Sequence, residues 1–236
     1  MITLTVDTSE RRGSVAVRRE GRTVAARLHE AADYSAWLLG AVREAFGEAA
    51  TAMESVELLA VATGPGSFTG VRVGLTTVKA WAEVYRKRVV GVSRLEAMAR
   101  LAEHPGIVAA SYDAQRGQIF GGLYRWVGGV PVQVESEMVI SPGGFLAFVE
   151  EYAGRDRVQW VSLDPELITS VEHWGARERC GDRLIACPAD VASLVGELAE
   201  ERARRGESTD PLELDANYVR RSDAEIFWKG PANGVR

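Results

Sequence analysis

An α/β fold of two similar lobes is what this chain predicts, and three observations predict it. The first is an element order: three alternating strands, then helix, strand, helix, strand and helix, the βββαβαβα succession of a ribonuclease-H-like lobe. The second is that this order partly restarts after the break at His104-Pro105-Gly106. The third is that each half opens on a strand ending in aspartate, Asp7 in one and Asp113 in the other. These place a first ribonuclease-H-like lobe at 1–104, a second, smaller lobe at 105–206 and a polar tail at 207–236.

Each element has a local reason. Ile2, Leu4 and Val6 alternate with threonines up to the polar turn Asp7-Thr8-Ser9, which reads as a strand with two different faces. Residues 14–19 and 23–29 alternate in the same way around a hairpin turn at Glu20-Gly21-Arg22. A first helix is expected over 34–46, a strand over 56–63, a helix over 69–87, a short strand over 89–92 and a helix over 94–103. In the second half, strands are expected over 107–112, 118–126 and 130–140, the last two joined at Gly128-Gly129. Ser141-Pro142 reads as a cap with proline in the first turn, starting a helix to about residue 152. Short strands at 158–163 and 183–186 and a helix over 189–205 complete the list, and Asp210-Pro211 and Gly230-Pro231 break the tail.

The most distinctive stretch is Gly64-Pro65-Gly66-Ser67-Phe68-Thr69-Gly70-Val71-Arg72-Val73-Gly74, a glycine-rich turn running from strand into helix. Gly64 and Gly66 tolerate positive φ, and Ser67 or Thr69 can cap the helix with a hydroxyl. Such a turn either presents N–H groups to an anion at a helix N-terminus or is a tight connection with no ligand. On a wheel of about 100° per residue the core face of this helix reads Val71, Leu75, Val78, Ala82 and Tyr85. A second uncharged face reads Gly70, Val73, Gly74, Thr77, Ala80, Trp81 and Val84. The glycine pair costs about 1 kcal/mol per residue against alanine, which calls for close approach by another backbone. The first helix is apolar over more than half its circumference as well, through Tyr34, Trp37, Leu38, Leu39, Ala41, Val42, Ala45 and Phe46. Either these two faces meet each other, or together they form half of a four-helix interface with a partner. On the second reading, Gly74→Arg is expected to leave the fold nearly intact and abolish association.

Composition bounds the function. The chain has 236 residues, 46% of them hydrophobic and 26% charged, with net charge −5 and pI near 5.4. No global basic field draws it to nucleic acid or an anionic membrane. The basic clusters Arg86-Lys87-Arg88 with Arg94, Arg202 with Arg204 and Arg205, and Arg220-Arg221 are candidate phosphate contacts. The first two also follow from the preference of helix C-termini for cations. Two cysteines, Cys180 and Cys187, make neither a disulfide framework nor a zinc set, so reduced thiols and a cytoplasmic setting are expected. No basic leader is seen at the N-terminus, and no apolar run approaches the roughly 18 residues of a membrane span.

Catalytic chemistry finds few supports. Among the three histidines, His29, His104 and His173, there is no HxxxH or HExxH spacing. Neither cysteine lies in a glycine elbow, Ser67 does not fit GxSxG, and Thr69 stands where a Walker A loop needs glycine. The loops after Asp7 and Asp113 carry bulky charged residues where a phosphate cradle wants glycine. Asp7 and Asp113 either hold a metal between lobes or cap strand ends.

Asp7-Thr8-Ser9, the glycine motif with Arg72 and Gly74, residues 89–99 (VVGVSRLEAMA), Asp113-Ala114-Gln115-Arg116 and Tyr218-Val219-Arg220 together resemble the bacterial TsaB (YeaZ) family. The resemblance covers nearly the whole chain in order and spacing. It implies the sugar kinase/chaperone/actin (ASKHA) superfamily fold, and a non-catalytic paralogue that binds and activates TsaD. TsaD is the transferase that places threonylcarbamoyl on the adenosine next to the anticodon of certain transfer RNAs. It further implies a homodimer that exchanges for a heterodimer with TsaD, with TsaE joining, no membrane, and transfer RNA met only indirectly. The partner interface it implies matches the two over-apolar helices, with Tyr34, Trp37, Leu38, Ala41, Gly70, Val73, Gly74, Thr77 and Trp81 as its residues. A residual nucleotide cleft, with weak ATP or ADP binding, would involve Asp7, Thr8, Ser9, Gly64, Gly66, Ser67 and Asp113; no cofactor or metal is otherwise expected. TsaD holds metal with a histidine pair on its first-lobe helix, and the matching helix here has no histidine. One departure stands out: family members often carry His-Ser-Glu where this chain has Tyr34-Ser35-Ala36. Two rival readings remain, a nucleotide-dependent phosphotransferase or hydrolase, and a purely structural homodimer.

Overall fold

The computed structural model describes residues 1–30, 33–103 and 105–219; His104, Arg220-Arg221 and Gly230-Pro231 lie outside the described residues. The first sheet contains β1 (Ile2–Asp7), β2 (Gly13–Arg19), β3 (Arg22–His29), β4 (Leu58–Ala62) and β5 (Arg88–Val92), in the order β3-β2-β1-β4-β5. The first three are antiparallel and the last two run parallel to β1. The second sheet contains β6 (Gly106–Gln115), β7 (Gln118–Val127), β8 (Val130–Ile140), β9 (Val158–Ser162) and β10 (Arg183–Ala186). Its order β8-β7-β6-β9-β10 repeats the first with the same parallel and antiparallel pairings. The duplicated lobe expected from the element order is therefore present.

The helices are α1 (Tyr34–Glu48), α2 (Phe68–Tyr85), α3 (Arg94–Ala99), α4 (Pro142–Ala153), α5 (Pro165–Thr169), α6 (Trp174–Arg179) and α7 (Val191–Arg204). Caps set their starts. Ser67, Ser93, Ser141 and Asp190 each accept the N–H three residues on, at Gly70, Glu96, Gly144 and Ser193. Ser67, not Thr69, is thus the cap of α2. Helices α5 and α6 were not expected; at five and six residues they are too short to show a period.

Three cores result. Helices α1 and α2 cover one face of the first sheet through Leu38, Ala41, Ala45, Val71, Leu75 and Val78 on Leu4, Val6, Val15 and Val61. Helices α4, α5 and α6 cover the outer face of the second sheet, around Phe145, Trp160 and Trp174. Between the sheets lies a shared core of α3 and α7 with Ala60, Val90, Val108, Tyr112 and Val161. The sheets divide by sequence at the Pro105-Gly106 turn, but the helices cross. Helix α7, last in the chain, packs on β1, β2, β4 and β5 of the first sheet, while α3, from the first half, packs on β6, β7 and β8. The threonine face of β1 looks at α7 rather than at water. A Cβ on Gly196 would stand 2.5 Å from both Thr5 Oγ1 and Arg18 Cδ, so only glycine lets the helix lie that close.

The tail also has a place as far as residue 219. Thr209 pairs with Val89 on the open edge of β5, and Leu214 is buried beside Gly91. Lys79 Nζ donates to the Leu214 carbonyl at 2.7 Å and the Asn217 N–H to the Thr63 carbonyl at 2.8 Å. Residues 207–219 are a strap across β5 and α2.

Candidate functional site

Two places compete, the cleft where the lobes meet and the outer face of α1 and α2. The cleft is built by parallel strands. β1 ends at Asp7, β4 runs into the glycine turn and β5 ends one residue before Ser93-Arg94, so their C-terminal ends converge there. Asp7 is fully buried and its Oδ1 accepts from the Ser9 N–H at 3.0 Å and from the Ser9 hydroxyl. Arg94, also fully buried, fills the space in front of it with Nε 3.3 Å from Asp7 Oδ2. Its guanidinium lies 4.8 Å from the Tyr112 ring, 3.8 Å from Glu10 Oε2 and within 3.2 Å of the Arg12 carbonyl. Burial opposes the Arg94 charge, yet Asp7, Tyr112 and Glu10 outweigh it and raise the pKa of the group. Arg12 continues the chain of charges across the cleft, bonding Asp164 Oδ1 at 2.6 Å, and Asp164 Oδ2 accepts the Asp113 N–H at 2.8 Å. Asp113 turns its own carboxylate onto Gln115.

The glycine turn is equally occupied. The Ser67 N–H donates to the Ser9 carbonyl at 2.7 Å, the Arg94 N–H to the Gly64 carbonyl at 2.7 Å, and the Tyr112 hydroxyl to the Pro65 carbonyl. A Cβ on Gly66 would sit 1.9 Å from the Ser9 carbonyl oxygen, and one on Gly70 2.1 Å from that of Thr8. Thr8 Oγ1 donates to the Gly70 carbonyl at 2.7 Å, and a Cβ on Gly74 would stand 2.5 Å from that same oxygen. The close backbone approach that the glycines required is therefore made by the β1–β2 loop of this chain. What remains between the lobes is a cavity of about 140 Å³ lined by Glu10, Arg11, Gly66, Ser67 and Asp113. A nucleotide-sized pocket is roughly 300–1,000 Å³. Among the described residues no cluster of three or more His, Cys, Asp or Glu side chains is placed to hold a metal ion. Cys187 borders the cleft, and burial pushes its thiol up to about 12, too high for a thiolate nucleophile at neutral pH.

Several expected positions move. Gly70 and Gly74 are buried, held against Thr8, so they are not partner surface, and Gly74→Arg cannot spare the fold. Tyr34, Leu38 and Ala41 are buried on the first sheet. Tyr34 turns inward so that its ring lies over Gly13 and its hydroxyl donates to the Glu10 carbonyl. Its aromatic neighbour Trp37 stays half-buried, stacked 4.7 Å from His29. Tyr85 is exposed rather than core. Arg94 is a cleft residue and no nucleic-acid contact, Arg202 pairs with Glu96 at 2.6 Å, Arg204 with Glu200 at 3.3 Å and Arg205 with Glu207 at 2.7 Å.

The open surface lies between α1 and α2. A groove of about 560 Å³ is lined by Ser35, Leu38 and Leu39 on α1 and by Phe68, Arg72, Val73, Thr76 and Thr77 on α2. Leu39 is 61% exposed and Val84, further along α2, 75%. Val73, Thr77 and Trp81 are half-buried along the seam between the helices. Sequence reasoning placed the right helices here but chose their inward residues over Leu39, Phe68 and Val84. The exposed ends of the apolar arcs, read against the sheet-facing arc, were the signal.

Two mirrored ribonuclease-H-like lobes around such a cleft define a protein of the sugar kinase/chaperone/actin superfamily. A hexokinase of the ROK family from Thermus thermophilus shares this fold at 11% identity and TM-score 0.51, over 88% of this chain and all of that one. The family model described as TsaD: tRNA N6-adenosine threonylcarbamoyltransferase matches residues 24–160. The tRNA threonylcarbamoyladenosine biosynthesis protein TsaB of Bacillus subtilis is 26% identical, across 97% of this chain and 98% of that protein. The solved structure of YeaZ from Pseudomonas aeruginosa aligns at TM-score 0.71 and 28% identity, over 92% of this chain and 99% of that one. The chain belongs to the TsaB (YeaZ) branch of the TsaD-like family.

Proposed function

We propose that this protein is a cytoplasmic, non-catalytic subunit of the machinery that makes threonylcarbamoyladenosine in transfer RNA, binding and activating the transferase TsaD through the outer face of α1 and α2. One observation carries the reading: Arg94 occupies the cleft in front of Asp7, where a kinase of this fold works on its nucleotide. The charge that an aspartate there would offer a metal is already neutralised, and the cavity left over is too small for a nucleotide. The unspent capacity of the molecule is instead on its surface, in the apolar groove between the two helices. A second copy of the chain covers that face in the homodimer, and TsaD replaces it in the heterodimer, where TsaE joins. Activation is then thermodynamic: a partner that binds one conformation of TsaD better shifts TsaD toward it.

Light scattering on the purified protein, alone and mixed with the TsaD of its own organism, tests this. A homodimer converting to a one-to-one heterodimer is expected, together with transfer-RNA modification that needs both chains. Magnesium-dependent ATP turnover by the chain alone, lost in Asp7→Ala, would replace this reading with the enzyme one.

A further inference from the structure

The outer ridge of α2 carries a charge pattern that the chain itself leaves unused. Arg72 is the charged member of the groove lining, and its side chain is held rather than free. Its guanidinium lies 3.6 Å from the centre of the Phe68 ring, and its Nε donates to the Tyr218 hydroxyl of the strap at 2.8 Å. Tyr218 in turn packs on Phe68 at 5.1 Å between ring centres. Among the described residues Arg72 has no carboxylate partner, although an arginine fork fixed in this way is preorganised to receive one. Glu83, exposed on the same helix, likewise makes no ion pair among the described residues. Lys79, which lies between them on this flank, is spent on the strap carbonyls.

Arg72 and Glu83 are eleven residues apart, close to three full turns, so they stand on one flank about 16 Å apart along the axis. Midway between them the ridge is low, formed by the exposed Thr76 and Ala80. A two-fold axis through that midpoint runs a second α2 antiparallel to the first. It then brings Arg72 of each copy opposite Glu83 of the other and sets Thr76 against Ala80, where small side chains allow close approach. No shift of register keeps both pairs. The geometry points to an isologous dimer of this chain in which two reciprocal Arg72–Glu83 pairs fix α2 antiparallel against α2, the strap residue Tyr218 holding each arginine ready. This rests on the homodimer half of the proposed function and adds its register.

The pattern has a distinctive test by sedimentation velocity on the full chain. Arg72→Glu and Glu83→Arg each place like charges at both contacts, and each is expected to raise the dimer dissociation constant roughly a hundredfold. An equimolar mixture of the two variants restores opposite charges at both contacts, so a heterodimer of near wild-type affinity is expected. The double variant R72E/E83R is expected to homodimerise again, which also separates the pairing from the loss of the Tyr218 contact. Single variants that dimerise as wild type does, or a mixture that stays monomeric, overturn the register and leave the TsaD reading standing. A wild-type chain that is monomeric at every concentration overturns the register and removes the homodimer, while the mixing experiment with TsaD still decides the rest.

Discussion

Arg94 sets the character of the cleft, and its cost is borne by one partner. A buried guanidinium facing a buried carboxylate is stable only while both are present, because removing one leaves the other charged and desolvated. Arg94→Met is therefore expected to lose about 3–5 kcal/mol in urea unfolding, and the pair Arg94→Met with Asp7→Asn much less, since no charge is then stranded. Equal losses in the single and double variants would mean that Arg94 acts by packing alone. Gly70 and Gly74 make a second test at this scale. Gly70→Ala puts a methyl 2.1 Å from a backbone oxygen that cannot swing away, so a clear fall in melting temperature by circular dichroism is expected before any question of association arises. The sequence did signal that these glycines need a close neighbour, yet it could not say that Thr8 is that neighbour. Arg94 was misread among surface basic residues because a charged type after a short strand looks solvated. Only the parallel pairing of β1, β4 and β5 puts it beside Asp7.

Among elements, those with a strong period or a cap were legible: the three-strand meander, the glycine turn into α2, the Ser141-Pro142 start of α4, and α7. Which sheet an amphipathic helix covers was not, because α3 and α7 each show a single apolar stripe that fits either lobe. The strap was illegible for a different reason. Its hold on the fold comes from one apolar side chain, Leu214, and from backbone pairing to β5 and Thr63, and neither leaves a periodic trace. Leu214→Ala is expected to lower stability by about 2–4 kcal/mol and to make residues 207–219 the first site of limited proteolysis. Cleavage rates in that stretch equal to wild type would mean that the strap is held elsewhere.

Across the whole molecule the lobes are tied by exchange, α3 lying on the second sheet and α7 on the first, with polar locks at the crossings. Glu137 is one such lock. From β8 it accepts from the Tyr124 hydroxyl within its own sheet, from Ser93 at the start of α3, and from Asn217 of the strap. Burial raises its pKa above the usual carboxylate range even though those three donors pull it down. A carboxyl group that holds its proton more tightly in the folded than in the unfolded chain stabilises the fold where it is protonated, and costs stability once ionised. Its contribution therefore improves as pH falls from neutral through the folded pKa, and levels off below the unfolded one. Glu137→Gln keeps an acceptor for Tyr124 and, with the Asn217 amide turned over, a donor for the strap, but has no charge to desolvate. The stability of wild type minus that of the variant, measured by urea unfolding across pH, is expected to be lowest at neutral pH and to rise on acidification by about 1.4 kcal/mol for each unit of pKa shift. A flat difference would place the carboxylate in contact with water and remove Glu137 as a lock between the lobes and the strap.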